Sequence, residues 1–166
     1  HLFYGGYKLR TSNDPTSVFA PQIALARAAG VRLIASKVET PWERNGKTDF
    51  SSVDRIVQTI LETAPDAFIY LRFNVDSPPW WNHENPDSRV VYGDGELGEG
   101  CMVAPFWQKQ MLHNVSRLID HCEKNYGDRI AVYHICGLEY GEWIYPGVWG
   151  GKTRGFDAHT RQAFQQ

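Results

Sequence analysis

Long apolar runs are missing from this sequence of 166 residues. None reaches the roughly 20 apolar residues that a membrane-spanning helix needs. A basic excess is missing too: 17 Lys and Arg stand against 19 Asp and Glu, a formal net charge of −2. Neutralising phosphates takes a surplus of Lys and Arg on one face, so a general nucleic-acid binder is not expected. Cysteine is scarce. Cys101, Cys122 and Cys136 are odd in number and widely spaced, and fit no metal or redox motif. Cys122 and Cys136 lie among apolar neighbours and read as buried free thiols. No internal repeat or low-complexity segment is present. No secretory signal is visible, but His1 already lies in what reads as a strand. The true N-terminus is therefore expected to be missing, and the compartment stays open.

Other motifs are absent or incomplete. Tyr92 to Gly100 is glycine-rich but acidic and without Lys; it would repel phosphate, so it is no P-loop. His83-Glu84 lacks the second His of a zinc-peptidase motif. His113 and His121, eight apart on an expected helix, read as solvated or core-edge residues. Asn114-Val-Ser116 is a formal glycosylation sequon on the same helix, and such matches are mostly incidental. Neither a metal nor an organic cofactor is expected.

Aromatic residues are abundant: six Trp, eight Tyr and eight Phe. Trp80, Trp81, Trp143 and Trp149 all sit in segments rich in Pro, Gly, Asn and Asp. Loop tryptophans are harder to explain by packing than core ones. The 42% hydrophobic and 22% charged fractions are those of an ordinary globular chain, and one domain over residues 1–166 is expected.

Strand and helix patterns alternate along the chain. Leu2 to Tyr7 reads as a strand, and a helix follows from Asp14-Pro15, with Asp14 or Ser12 as cap, to Gly30. Val31 to Val38 is a second strand. Ser51 to Asp54 resembles a capping box ahead of the helical spacing Val53, Ile56, Val57, Ile60, Leu61. Ala67 to Val75 is a third strand, and a loop of about 76–103 follows; loops of that length are usually functional. Pro105 opens the longest helix, ended by Asn125-Tyr-Gly127. Ile130 to Cys136 is a fourth strand, and a short amphipathic segment starts at Asp157. The strands read as almost uniformly apolar, as parallel strands covered on both faces are. Two architectures fit: a doubly wound open sheet, or parallel β/α units forming about half of a (β/α)8 barrel.

Three places carry candidate chemistry. The fourth strand runs into a loop with Glu139 and Glu142, crowded by Tyr140, Trp143, Tyr145 and Trp149. A carboxyl group walled by flat rings suits sugar cleavage: ring faces hold the apolar side of a pyranose while the acid protonates the glycosidic oxygen. Each Glu also reads as a surface charge, Glu139 more readily than Glu142. The second place follows strand three, where Pro78-Pro79 stiffens a turn bearing Trp80, Trp81, Asn82, His83 and Glu84. It reads as a sugar-stacking platform or as a hydrophobic plug. Thirdly, Arg72 interrupts an apolar strand. It must be paired, either orienting a catalytic carboxylate or forming a structural ion pair.

These passages, in this order, resemble the N-terminal half of the catalytic (β/α)8 barrel of clan A glycoside hydrolases, nearest to the family 42 β-galactosidase-like enzymes. Trp42 to Asp54 is similar to the family's strand-two loop, and Ser77 to Asp87 to its P-P-x-W-L segment. Tyr126-Gly-Asp-Arg-Ile-Ala-Val-Tyr133 resembles the lead into strand four, and Phe156 to Phe164 the start of the next helix. The resemblance implies a glycosidase acting on a β-linked carbohydrate, with a strand-four Glu as general acid/base. The family has Asn-Glu there. Here Leu138-Glu139 stands one residue out of step, while Gly141-Glu142-Trp143 matches divergent relatives, so Glu142 leads Glu139. Arg72, Trp80, Trp81, Asn82, His83, Trp143 and Tyr145 are the implied substrate-binding residues. The family's nucleophile, a strand-seven Glu, falls beyond these strands. The chain is then a truncated barrel, inactive alone and needing the remainder. A sugar-binding protein without catalysis is the alternative, and a nucleotide-binding doubly wound protein a distant third.

Overall fold

The computed structural model describes residues 2–5, 15–139 and 141–166. The elements are β1 (Leu2–Gly5), α1 (Pro15–Ala28), β2 (Leu33–Glu39), α2 (Ser51–Thr63), β3 (Phe68–Asn74) and α3 (Pro79–Glu84). They continue as β4 (Arg89–Val91), β5 (Leu97–Gly100), α4 (Pro105–Tyr126), β6 (Ile130–Cys136) and α5 (Ala158–Phe164). The expected caps at Ser12 or Asp14, and strand residues 6 and 7, lie outside the described residues.

Local chemistry accounts for most boundaries. Pro15 and Pro105 stand first in their helices, where a missing N–H costs nothing. After α1, Gly30 takes a φ of +79°. Its N–H bonds to Arg27 O (2.9 Å) and that of Val31 to Ala26 O (3.0 Å). These are the paired bonds of a Schellman cap. The expected capping box at Ser51 does not form. Phe50 is the N-cap, no side chain caps the helix, and Asp49 Oδ1 accepts from the Ser51 amide at 2.9 Å. With the boundary one residue earlier, Asp54 is too far along the helix to reach back. It accepts instead from His121 Nε2 (2.6 Å) and the Tyr126 hydroxyl (3.0 Å), tying α2 to α4.

β1, β2, β3 and β6 form one parallel sheet in that order. The order follows the chain without the reversal that a doubly wound sheet requires, so the nucleotide-binding alternative loses its fold. The sheet's two sides differ, which corrects the reading of uniformly apolar strands. Ile34 and Val38 of β2 and Ile69, Leu71 and Phe73 of β3 lie in one core with Phe19 and Ile23 of α1, Val53, Val57 and Ile60 of α2, and Trp107, Val115 and Leu118 of α4. The alternate positions carry polar groups. Lys37, Arg72 and His134 stand side by side in register, followed by Glu39, Asn74 and Cys136. Strand side chains alternate between faces, so the sheet has an apolar side under α1, α2 and α4 and a polar side opposite.

The long loop after β3 has structure of its own. Pro79 stands first in α3. A 3-10 turn at Pro86–Ser88 leads into the antiparallel hairpin β4–β5, which turns at Gly95 with a φ of +84°. The later stretch 144–156 is tied to this hairpin. Gly93 N bonds Thr153 O (2.8 Å) and Phe156 N bonds Val91 O (3.0 Å). An enclosed Arg154–Glu99 ion pair (2.9 Å) adds to them. The Tyr92 hydroxyl donates to Pro146 O (2.9 Å) and to Glu99 (3.0 Å). Burial, reinforced by the Glu99 charge, pushes that phenol up to about 12.

Candidate functional site

β3 and β6 end side by side, and both feed the same small structure. Directly after Cys136 the described residues 137–139 and 141–144 are tied together by backbone hydrogen bonds. Trp143 N bonds Gly137 O (3.0 Å), Gly141 N bonds Leu138 O (3.0 Å), Glu142 N bonds Glu139 O (3.1 Å) and Glu139 N bonds Ile144 O (2.9 Å). The price is backbone strain at Leu138 and Trp143, with φ of 62° and 61°; Gly141, at 67°, takes the same region freely. A left-handed conformation costs a non-glycine residue roughly 1–2 kcal/mol, so Leu138 and Trp143 need compensation.

Compensation comes from β3 and the residues just after it. Asp76 Oδ1 accepts from the Leu138 amide at 2.7 Å. Arg72 Nη2 donates to the Gly141 carbonyl at 2.6 Å. A hydrogen bond to a charged group contributes about 1.5–3 kcal/mol net, the same size as the strain. The approach is close at both ends, and at Gly141 the φ of +67° also favours glycine. A Cβ at Gly141 would lie 2.9 Å from Arg72 Nη2, and one at Gly137 would lie 3.2 Å from both Asp76 Oδ1 and the Trp143 ring.

Glu142 and Glu139 occupy different settings on this loop. Glu142 is exposed, and no described residue bonds its carboxylate. Glu139 is half-buried, and its Oε2 is enclosed without a hydrogen-bond partner. Tyr140, between them, lies outside the described residues. Trp143 and Tyr145 are about half exposed, and Trp149 is 75% exposed. The Arg154 guanidinium stands 4.0 Å over the Tyr145 ring.

The segment after β3 is less of a platform than expected. Trp81 is 3% exposed. Its ring centroid is 5.4 Å from that of Trp42, and it stacks on Phe106 at 6.0 Å and 17°. It has no open face for a sugar, which corrects its assignment as a stacking surface and makes it the plug. Asn82 is held by Ser77, whose hydroxyl donates to Asn82 Oδ1 at 2.7 Å. Trp80 is half-buried beneath the Arg44 guanidinium, 4.8 Å from its centroid, and Arg44 also pairs with Glu84 at 3.0 Å. His83 is exposed. Arg72, expected either to orient a catalytic carboxylate or to form an ion pair, grips the backbone of the loop that carries Glu142.

Sequence reasoning missed Asp76, Asn74, His134 and Tyr70. Asn74 is buried and donates through Nδ2 to Asp76 Oδ2 at 2.8 Å. The Tyr70 hydroxyl meets His134 Nδ1 at 2.9 Å. A signal was present: Tyr70, Arg72, Asn74 and Asp76 recur at every second position, the period of one strand face. The three thiols are buried and free. Burial pushes Cys136 up against the opposing pull of Arg72, and pushes Cys122 up to about 12. Among the described residues, no group of three or more His, Cys, Asp and Glu is placed to hold a metal ion. None of the described helices is long and apolar enough to cross a membrane.

No protein-family model matches the chain, and no curated protein matches it. Among solved structures, a hypothetical protein from Ruminiclostridium thermocellum ATCC 27405 is similar over 86% of this chain and 100% of its own, at 8% identity and a TM-score of 0.48. A β-galactosidase from Rahnella sp. R3 is similar over 84% of this chain, at 17% identity and a TM-score of 0.55. This chain spans 21% of that enzyme's length. The likeness is one of fold: the mixed α/β arrangement with parallel strands recurs as part of a β-galactosidase chain.

Proposed function

We propose that the chain is the N-terminal half of a (β/α)8 glycoside hydrolase domain acting on a β-linked carbohydrate, with Glu142 as general acid/base. The observation that carries this reading is the exposed Glu142 carboxylate, bonded by no described residue, beside a half-exposed tryptophan on a strained loop that Arg72 of β3 and Asp76 just after it clamp from two sides. The chain-ordered parallel sheet, with α1, α2 and α4 on one side and polar groups on the other, supports the barrel half. So does the likeness of fold to a β-galactosidase. In a barrel the sheet side away from the helices faces inward, and chemistry gathers at the strand C-termini, where Arg72, Asn74, Asp76 and Glu142 are found.

Glu142 in its acid form donates a proton to the glycosidic oxygen as the bond to the anomeric carbon breaks. It then takes a proton from the incoming water. Glu139 shares its loop and cannot stand on the opposite side of the scissile bond. The second carboxylate therefore comes from strands beyond these 166 residues. Trp143 and Tyr145 supply ring faces to the sugar, and in this reading Trp80 and His83, which follow β3, contribute to the same cleft.

The test is lactose hydrolysis by the full-length protein. Lactose is the better probe because a sugar leaving group needs protonation, whereas 4-nitrophenolate leaves with little help. Losing a general acid costs about 10²–10⁴-fold, so E142Q is expected to lose that much turnover while E139Q stays within about threefold. The reverse pattern moves the role to Glu139, and unchanged turnover in both variants sinks the reading. A second reading, sugar binding without cleavage, draws on the 75% exposure of Trp149 and the half-exposed Trp143 and Tyr145. E142Q separates the two, since a pure binder is indifferent to it.

A further inference from the structure

We infer that Asp76 is a positioning residue that sets the conformation of the loop carrying Glu142. The inference rests on the glycosidase reading for its functional half and on geometry alone for its structural half.

Both oxygens of Asp76 are engaged. Oδ1 takes the Leu138 amide (2.7 Å) and Oδ2 takes Asn74 Nδ2 (2.8 Å). The partner amide belongs to a left-handed, non-glycine residue, Leu138 at φ 62°. Gly137, one residue earlier, is pressed between Asp76 and the Trp143 ring. From within β3, Arg72 holds the far end of the same loop at Gly141. An anion therefore grips an N–H at the loop's start and a cation grips a C=O near its tip. Both are launched from β3 and the residues just after it, not from β6. The contacts span 62 and 69 residues of sequence, so the loop's shape is set by a neighbouring strand. Asp76 touches no part of the reaction. It acts by holding the backbone that places Glu142 and Trp143.

Asparagine can imitate this grip and alanine cannot. Asn at position 76 keeps an oxygen for Leu138. Its amide N–H can be met by the side-chain oxygen of Asn74, which is buried without a partner, once the Asn74 amide rotates. A misplacement of about 1 Å can cost about 100-fold in rate. D76A is accordingly expected to lower lactose kcat in the full-length protein about 100-fold, with KM within about threefold, while D76N stays within about threefold on both. In the full-length protein, amide hydrogen exchange at Leu138 is expected to quicken at least about tenfold in D76A and to stay slow in D76N. Should D76A not fold, D76S carries the same expectation, because serine is too short to reach the Leu138 amide.

Wild-type exchange at Leu138 in D76A overturns the inference, as does wild-type kcat in D76A when E142Q is dead. Equal loss in D76N and D76A also overturns it, because the charge and not the grip would then matter. Full turnover in E142Q removes the glycosidase reading and the functional half with it, and that outcome is read without Asp76.

Discussion

Asp157 shows how much one side chain does here. It caps α5, with Oδ1 accepting from the Thr160 amide at 2.7 Å, and receives the Cys101 thiol at 3.3 Å. Burial acts to raise its carboxyl. The hydrogen bonds from Thr160 and Cys101 together outweigh burial and hold it below the ordinary value of 3.8. A depressed carboxyl stabilises the fold above its unfolded value and loses that contribution as pH falls through the folded one. D157A is expected to cost about 1–2 kcal/mol at neutral pH. Urea denaturation at a series of pH values should show the gap to wild type closing below 3.8. The tryptophans separate just as sharply. W81A empties a core site and is expected to lose about 3–5 kcal/mol, whereas W149A should stay within about 0.5 kcal/mol. Their ring types are identical in sequence, and only the neighbours Trp42 and Phe106 tell them apart. Asn114 makes the same point: it is 0% exposed, and its Oδ1 accepts from the Glu43 amide at 2.8 Å. The sequon is closed to glycosylation in this fold.

At the scale of elements, two glycines with similar backbone angles should respond differently. Gly30 ends α1 at φ +79° with nothing within 4 Å of a built Cβ, and Gly141 has φ +67° with Arg72 Nη2 at 2.9 Å. G30A bears only the conformational cost, about 1–2 kcal/mol. G141A bears that and must also displace the guanidinium from the loop. It is expected to lower turnover at least about tenfold, since the loop carrying Glu142 shifts. Parallel denaturation and lactose assays check the pair. Helix starts at Pro15 and Pro105 and the stop at Gly30 were legible because each depends on its own few residues. The capping box was misread because the boundary lay one residue early, and because Asp54 found partners on α4, more than 60 residues away in sequence. The hairpin inside the long loop was not legible, since its three- and four-residue strands are shorter than any periodicity can declare.

The whole molecule divides at the plane of its parallel sheet. One side is core and the other is polar, and substitutions should follow that division. L71A removes a fully buried side chain and is expected to cost about 2–5 kcal/mol. K37M removes a charge whose partner, Glu39 at 3.5 Å, is largely exposed, and should stay within about 1 kcal/mol. Thermal denaturation of both variants tests the division. If K37M proves as damaging as L71A, the polar side is itself a packed core.

Local sequence determined the alternation of strand and helix, the caps at Pro15, Pro105 and Gly30, and the placing of Glu139 and Glu142 just past a strand. Each of these rests on period, propensity and turn chemistry over a few residues. Tertiary structure alone decided that Trp81 is core and Trp143 half open, that one strand side is polar, and that Arg72 and Asp76 clamp the loop of another strand. Those outcomes depend on contacts between residues distant in sequence. Trp81 meets Trp42 and Phe106, and the clamp joins residues 62 and 69 positions apart, paired only once the sheet has brought β3 beside β6.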